Sequence, residues 1–178
     1  YCFGCHEGGD VFKFIMKSEN CNFMDAVKFL ANKYGIPIPE RQKTAAEIAR
    51  EQKAKQVIET NELAARFYQA CLTKSSYGKA ALTYLHKRGI SDEIISSFSI
   101  GYALNSFDSL LNALGKRGYS QELLMQAGLA VPGKNSGAYD KFRNRVMIPI
   151  KDPRGRIVGF TGRILGDGMP KYMNTGET

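Results

Sequence analysis

The chain has 178 residues, 43% hydrophobic and 24% charged, which fits one medium domain or a small module joined to a larger one and argues against a wholly disordered chain, a collagen-like repeat or a coiled-coil rod. No apolar run approaches the roughly 18 residues of a membrane-spanning helix. The excess of 25 Lys and Arg over 17 Asp and Glu gives +8, which suits a polyanionic partner without choosing among nucleic acid, nucleotide and anionic membrane. Four cysteines are too few for a disulfide scaffold, so a reducing cytosol is the simpler setting.

In chain order, Asp10 caps a predicted helix carrying Phe12, Ile15 and Met16, and a second helix begins at Asn22 with Phe23, Ala26, Val27, Leu30 and Tyr34 on one stripe and Gly35 as its stop. Pro37 and Pro39 close this unit, residues 1–39. Residues 40–56 are rich in charge with Ile48 as the only large apolar side chain, and Thr44 and Glu47 have capping-box spacing, so they are expected to form a solvated helical linker. Val57, Leu63, Ala64, Phe67, Tyr68, Cys71 and Leu72 then mark a long amphipathic helix ended by Ser75, Ser76 and Gly78. The pattern Leu82, Leu85, Lys87-Arg88-Gly89, Ser91 recurs 29 positions later as Leu111, Leu114, Lys116-Arg117-Gly118, Ser120, predicting two helical hairpins in which Gly closes one helix and Ser caps the next. Residues 100–104 between the copies read as a short strand. Val146 to Ile150, the turn Asp152-Pro153-Arg154-Gly155, and Ile157, Val158 and Phe160 read as a β-hairpin. Helices followed by strands give an α+β class, with residues 57–178 as the larger domain.

Cys2 and Cys5, in a Cys-x-x-Cys arrangement, can contribute two thiolates to one tetrahedral zinc. The site then needs Cys or His upstream of Tyr1, or His6 or Cys21. Cys2 to His6 also fits covalent haem attachment, and the thiol pair a redox role, but no enclosing pocket or preceding βαβ strand supports either. Cys71 reads as core. His86, near a helix end, has the helix carbonyls as its natural neighbours and no partner for general-base work. Between Lys141 and Arg163 seven basic side chains meet one acid, Asp152. Arg143 and Arg145, two apart on a predicted strand, are expected to share a face and hold phosphates; for Lys151, Arg154 and Arg156 solvated hairpin charge is an equal alternative. Residues 166–174 read as a Gly and Pro loop in which Lys171 holds phosphate, Tyr172 stacks and Asn174 reads a polar edge. Neither an Asp-x-Asp pair nor a Walker A loop is present to supply a metal centre.

Tyr1-Cys2-Phe3-Gly4-Cys5 with Gly8-Gly9-Asp10-Val11-Phe12 resembles the second half of the Cys-His-Cys-Cys zinc ribbon of bacterial replicative DNA primases. Residues 141–150 (KFRNRVMIPI), Gly155-Arg156, Gly159-Phe160, Gly162-Arg163 and residues 170–174 (PKYMN) are similar to the start of that family's RNA polymerase core. The resemblance spans essentially the whole chain. It implies a truncated zinc-ribbon module, a helical linker and the amino-terminal subdomain of the primase core. It implies a parent nucleotidyltransferase of the cytoplasmic replication fork that copies single-stranded DNA into an RNA primer from ribonucleoside triphosphates, and that meets the replicative helicase through a further C-terminal domain. By the same resemblance Cys2 and Cys5 are two of four Zn2+ ligands, and Lys141, Arg143, Arg145, Arg163, Lys171, Tyr172 and Asn174 line the template and nucleotide groove. The resemblance also implies that Mg2+ would be held by Toprim acids beyond Thr178, so no catalytic residue is expected here. The competing expectation is a non-catalytic single-stranded nucleic-acid binding module on the same scaffold.

Overall fold

The computed structural model describes residues 1–38, 43–133 and 137–176; Pro39 and the first part of the expected linker, 40–42, lie outside them. The chain divides into two compact units, Tyr1–Ala45 and Ala46–Thr178.

In the first unit, Asp10 accepts a hydrogen bond from the Lys13 amide and starts α1, Val11–Ser18; Asn22 does the same from Asp25 and starts α2, Phe23–Tyr34, which Gly35 ends with φ +66°. These caps are local to the sequence, and each helix begins where its side-chain acceptor satisfies an otherwise orphaned amide. The buried stripe of α2 differs from expectation: Ala26 and Ala31 are buried, whereas Phe23 and Tyr34 are exposed.

All of α3, Ala45–Thr73, but its first residue belongs to the second unit, and the described part of the expected linker from residue 45 onward is helical and continuous with the amphipathic helix that follows. Next come α4, Lys79–Lys87, and α5, Asp92–Ser97, then, after β1, α6, Ser109–Gly115, and α7, Gln121–Gln126. The repeat holds as two hairpins. Gly89 and Gly118 adopt φ +76° and +87°, and Ser91 and Ser120 cap α5 and α7 through the amides of Ile94 and Leu123.

Four strands form an antiparallel sheet in the order β1-β4-β5-β6: β1, Gly101–Ala103; β4, Arg145–Lys151; β5, Ile157–Ile164; β6, Tyr172–Asn174. A separate pair, β2, Ala130–Pro132, and β3, Ala138–Asp140, was not expected from sequence. One face of the sheet, with Ala103, Met147 and Phe160, joins Ala64 and Tyr68 of α3 and the leucines of α6 and α7 in the main core. The other face, with Tyr102 and Val146, packs on Leu72, Ala81, Leu85 and Ile95. Each large apolar side chain buried this way contributes about 1.5–3 kcal/mol before chain entropy is counted. Helix and sheet approach closely at Gly101, where a Cβ would lie 2.5 Å from the Tyr68 carbonyl carbon.

Candidate nucleic-acid interface

The path of the basic residues is set by Asn144. Its φ is +51°, a left-handed conformation that Asn tolerates better than most residues. The Tyr102 hydroxyl donates to its Oδ1 at 2.8 Å, its Nδ2 donates to the Leu165 carbonyl at 3.2 Å, and its backbone N–H donates to Leu104. The strand alternation therefore starts at Arg145, and Arg143 stands outside it.

This corrects the expectation of a shared face for Arg143 and Arg145. Arg145 is only 4% exposed and points into the main core, where its Nη1 donates to the carbonyls of Gly162 at 3.2 Å and Pro170 at 2.9 Å. Burial, then the nearby Arg143 charge, lowers its pKa. Gly162 leaves the room it needs, since a Cβ there would come within 3.1 Å of Arg145 Cδ. Because Pro170 precedes Lys171 directly, Arg145 fixes the loop that carries Lys171. Arg143 is half-buried, donates to the Asp140 carbonyl, and lies with its guanidinium carbon 4.5 Å and 5.1 Å from the ring centres of Phe107 and Tyr139. Lys141, also half-buried, lies 5.7 Å from the Phe142 ring.

Register places Arg163 opposite Val146 on one side and Tyr172 on the other, and Thr161 opposite Ile148 and Asn174. Arg163, Tyr172 and Asn174 thus share the sheet face away from Arg145. Arg163 Nη1 donates to the Tyr172 hydroxyl at 3.0 Å and its guanidinium lies 5.5 Å from that ring. Tyr172 and Asn174 are exposed, as is Lys171 just before them. The expected loop over 166–174 is corrected in its last three residues, which form the edge strand β6; pairing with β5 supplies the long-range bonds that a short Tyr-Met-Asn run does not advertise.

Among the described residues no acid forms an ion pair with Lys141, Arg143, Arg145, Arg163 or Lys171. The hairpin turn behaves differently: Arg156 is paired with Asp152 at 2.7 Å, and the carboxylate also accepts from the Arg154 and Arg156 amides. His86 contacts Asp92 at 2.9 Å rather than the helix carbonyls. Cys71 is core, and burial pushes its thiol up to about 11. Sequence reasoning missed the aromatic supports of these cations: Phe107 and Tyr139 on Arg143, and Tyr84 on Arg163 at 5.4 Å. Their sequence separations, from 4 residues to 79, leave no local pattern to find.

In the first unit Cys2 and Cys5 are exposed. The amide N–H groups of Cys5 and Gly4, then the Cys5 thiol, lower the Cys2 pKa; amide bonds to a sulfur that favour thiolate fit one half of a tetrahedral zinc site. His6 is engaged with the Tyr1 hydroxyl at 3.1 Å, and the Cys21 thiol faces the Ile15 carbonyl. Among the described residues no three His, Cys, Asp or Glu side chains are grouped to hold a metal. No helix among the described residues is long and apolar enough to cross a membrane.

Residues 67–178 match the family model of the DNA primase catalytic core, N-terminal domain, and residues 1–46 match that of the CHC2 zinc finger. The DNA primase of Pseudomonas putida is 41% identical over all of this chain, which covers 27% of that protein. A primase catalytic domain solved bound to single-stranded DNA is 38% identical with a TM-score of 0.68, over 72% of this chain and 41% of that one. The zinc-binding and RNA polymerase domains of the Aquifex aeolicus primase are 31% identical with a TM-score of 0.62, over 99% of this chain and 41% of that one. This chain spans about three-tenths of the curated relatives it matches. On the match of its larger part to the primase core, the chain belongs to the DNA primase family.

Proposed function

We propose that the chain is the template- and nucleotide-gripping part of a primase that makes short RNA primers on single-stranded DNA. Residues 1–39 serve as part of a zinc-binding domain, 40–56 as a linker and 57–178 as the amino-terminal subdomain of the polymerase core. The observation that carries this reading is a set of basic side chains with no acidic partner among the described residues, braced by aromatic rings and carbonyls, in a chain of the primase family. Cations held rigid and left un-neutralised are suited to phosphate, and an exposed ring on the same face is suited to a base.

Lys171 and Arg163 act as phosphate contacts, Tyr172 as a stacking platform and Asn174 as a polar contact to a base or sugar edge. Lys141 and Arg143 add positive potential, and Arg145 acts through the loop it fixes. That division retains the whole proposed set while giving Arg145 a positioning role. Cys2 and Cys5 supply two of four zinc ligands. The parent's magnesium, its ribonucleoside triphosphate chemistry and its contact with the replicative helicase belong to residues outside this chain, at a cytoplasmic replication fork. The relative solved with single-stranded DNA supports the choice of ligand.

Filter binding of the 178-residue chain to a single-stranded oligonucleotide tests the reading. Tyr172→Ala is expected to weaken binding by about 1–3 kcal/mol at all salt concentrations, as loss of one base-stacking ring does. Lys171→Ala is expected to weaken it most at low salt. Unchanged affinity in both variants, with unchanged circular dichroism, would contradict the reading.

A further inference from the structure

Arg50, Lys53, Ala54, Val57, Ile58 and Asn61 follow one another three and four apart, which sets them along one stripe of α3. The stripe walls a cavity of about 310 Å³ within the second unit, closed by Val158 of β5 and Gln126 of α7. Concave spaces lined mainly by apolar side chains, with a few placed polar groups, are the usual form of small-molecule sites. None of these residues belongs to the proposed nucleic-acid face.

Chemically the cavity is graded from mouth to floor. Arg50 and Lys53 are exposed, and among the described residues no acid forms an ion pair with either. Val57, Ile58 and Val158 are half-buried and supply aliphatic walls. Asn61 is 0% exposed. Its Nδ2 donates to the Ile157 carbonyl at 3.2 Å, which fixes the orientation of the amide, since a carbonyl accepts only from the nitrogen. Oδ1 is the atom left over, buried without a hydrogen-bond partner among the described residues. An unsatisfied buried acceptor opposes folding, and such departures from local stability are expected where a ligand is to be met. The bond to Ile157 accounts for the nitrogen of Asn61 and leaves the oxygen unexplained.

We propose that this cavity binds a small aromatic anion whose ring carries an N–H. The N–H donates to Asn61 Oδ1, the ring lies against Val57, Ile58 and Val158, and the anionic group pairs with Arg50 and Lys53. The order of acceptor, aliphatic wall and cation along the stripe sets the order of groups in the ligand. Asn61 and Lys53 are about 12 Å apart along the helix axis, a distance that an indole with a short acid chain spans together with the reach of the lysine. Because Oδ1 is itself buried, the entering ring turns one of the half-buried aliphatic side chains aside to meet it. The site does not depend on the reading of the sheet face.

The chain contains no Trp, so the emission of indolepropionate as a probe is read against tyrosine alone, and its anisotropy is expected to rise and saturate as the full chain is added. N-methylindolepropionate, which lacks the N–H, is expected to bind about tenfold more weakly, and the neutral indolepropionamide about fivefold more weakly at low salt. Asn61→Leu is expected to bind indolepropionate about tenfold more weakly and to lose the distinction between the two acids. Ala54→Phe, at an exposed position of the cavity wall, is expected to exclude both acids with unchanged circular dichroism, and it keeps the test decisive if Asn61→Leu does not fold. A single-stranded oligonucleotide is expected to leave the probe bound. A probe that does not saturate, equal affinity for the two acids, or undiminished binding by Ala54→Phe would overturn the site. Displacement of the probe by the oligonucleotide would assign the cavity to the nucleic-acid path and overturn it as a separate site.

Discussion

Replacing Arg145 with alanine is expected to destabilise the folded chain by about 3 kcal/mol, because it removes the donor to the buried Gly162 carbonyl and to the Pro170 carbonyl and opens a cavity. The side chain is 4% exposed, and its Nη1 donates to Gly162 at 3.2 Å and Pro170 at 2.9 Å. Burying this charge beside Arg143 carries its own desolvation cost, so Arg145→Met, which refills most of the volume, is expected to lose only about 1–2 kcal/mol while still lacking the donor to those carbonyls. Both variants release Pro170 and should therefore weaken nucleic-acid binding through Lys171. Urea denaturation monitored by circular dichroism checks the stability. An Arg145→Ala chain as stable as the parent, but defective in binding, would make Arg145 a surface contact after all.

Asp140→Ala is expected to cost a similar amount, about 3 kcal/mol, by a different route. The residue that precedes α6, Asp108, makes no side-chain capping bond. The amides of Leu110 and Leu111 and the Ser109 hydroxyl instead donate to the Asp140 carboxylate from 2.8, 3.0 and 3.0 Å away. Removing it strips the helix of its cap, worth about 0.5–2 kcal/mol, and leaves buried donors unpaired. Asp140→Asn keeps an acceptor oxygen and should cost about 1 kcal/mol.

Burial raises the Asp140 pKa above 3.8, against the opposing effect of its three donors. The folded chain therefore binds this proton more readily than the unfolded chain, and lowering the pH through the window just above 3.8 favours the folded form at this site. Asp140 is thus not a driver of acid unfolding. Thermal melts across that window check the pair of variants; an Asp140→Ala chain melting with the parent would overturn the capping role.

Much of the helical architecture was legible because its signals are local. Asp10, Asn22, Ser91 and Ser120 each reach an amide three residues on, and Gly35, Gly89 and Gly118 each take a positive φ at a helix end. The β4 and β5 hairpin was legible for the same reason, with Asp152 gathering the turn amides and Gly155 at φ +79°.

The arrangement of the cationic site was less legible. A period of two applied to Arg143 and Arg145 fails because Asn144 turns left-handed, and what holds it there is Tyr102, 42 residues away. That same break decides which arginine is buried. The aromatic braces of Arg143 and Arg163 come from other elements, and the edge strand β6 exists only by pairing with β5. Composition pointed to an anionic partner, the class that the proposed function assigns, but the division between structural and exposed cations is set by tertiary packing.

The measurement that bears most directly on the cationic surface is the salt dependence of single-stranded DNA affinity for the parent chain and for the double variant Arg163→Ala/Lys171→Ala. Two phosphate contacts removed from a single strand should make the slope of log affinity against log salt shallower by about 1.4, with the fold retained. Parallel lines of equal affinity for the two proteins would show that these cations do not hold a nucleic-acid backbone.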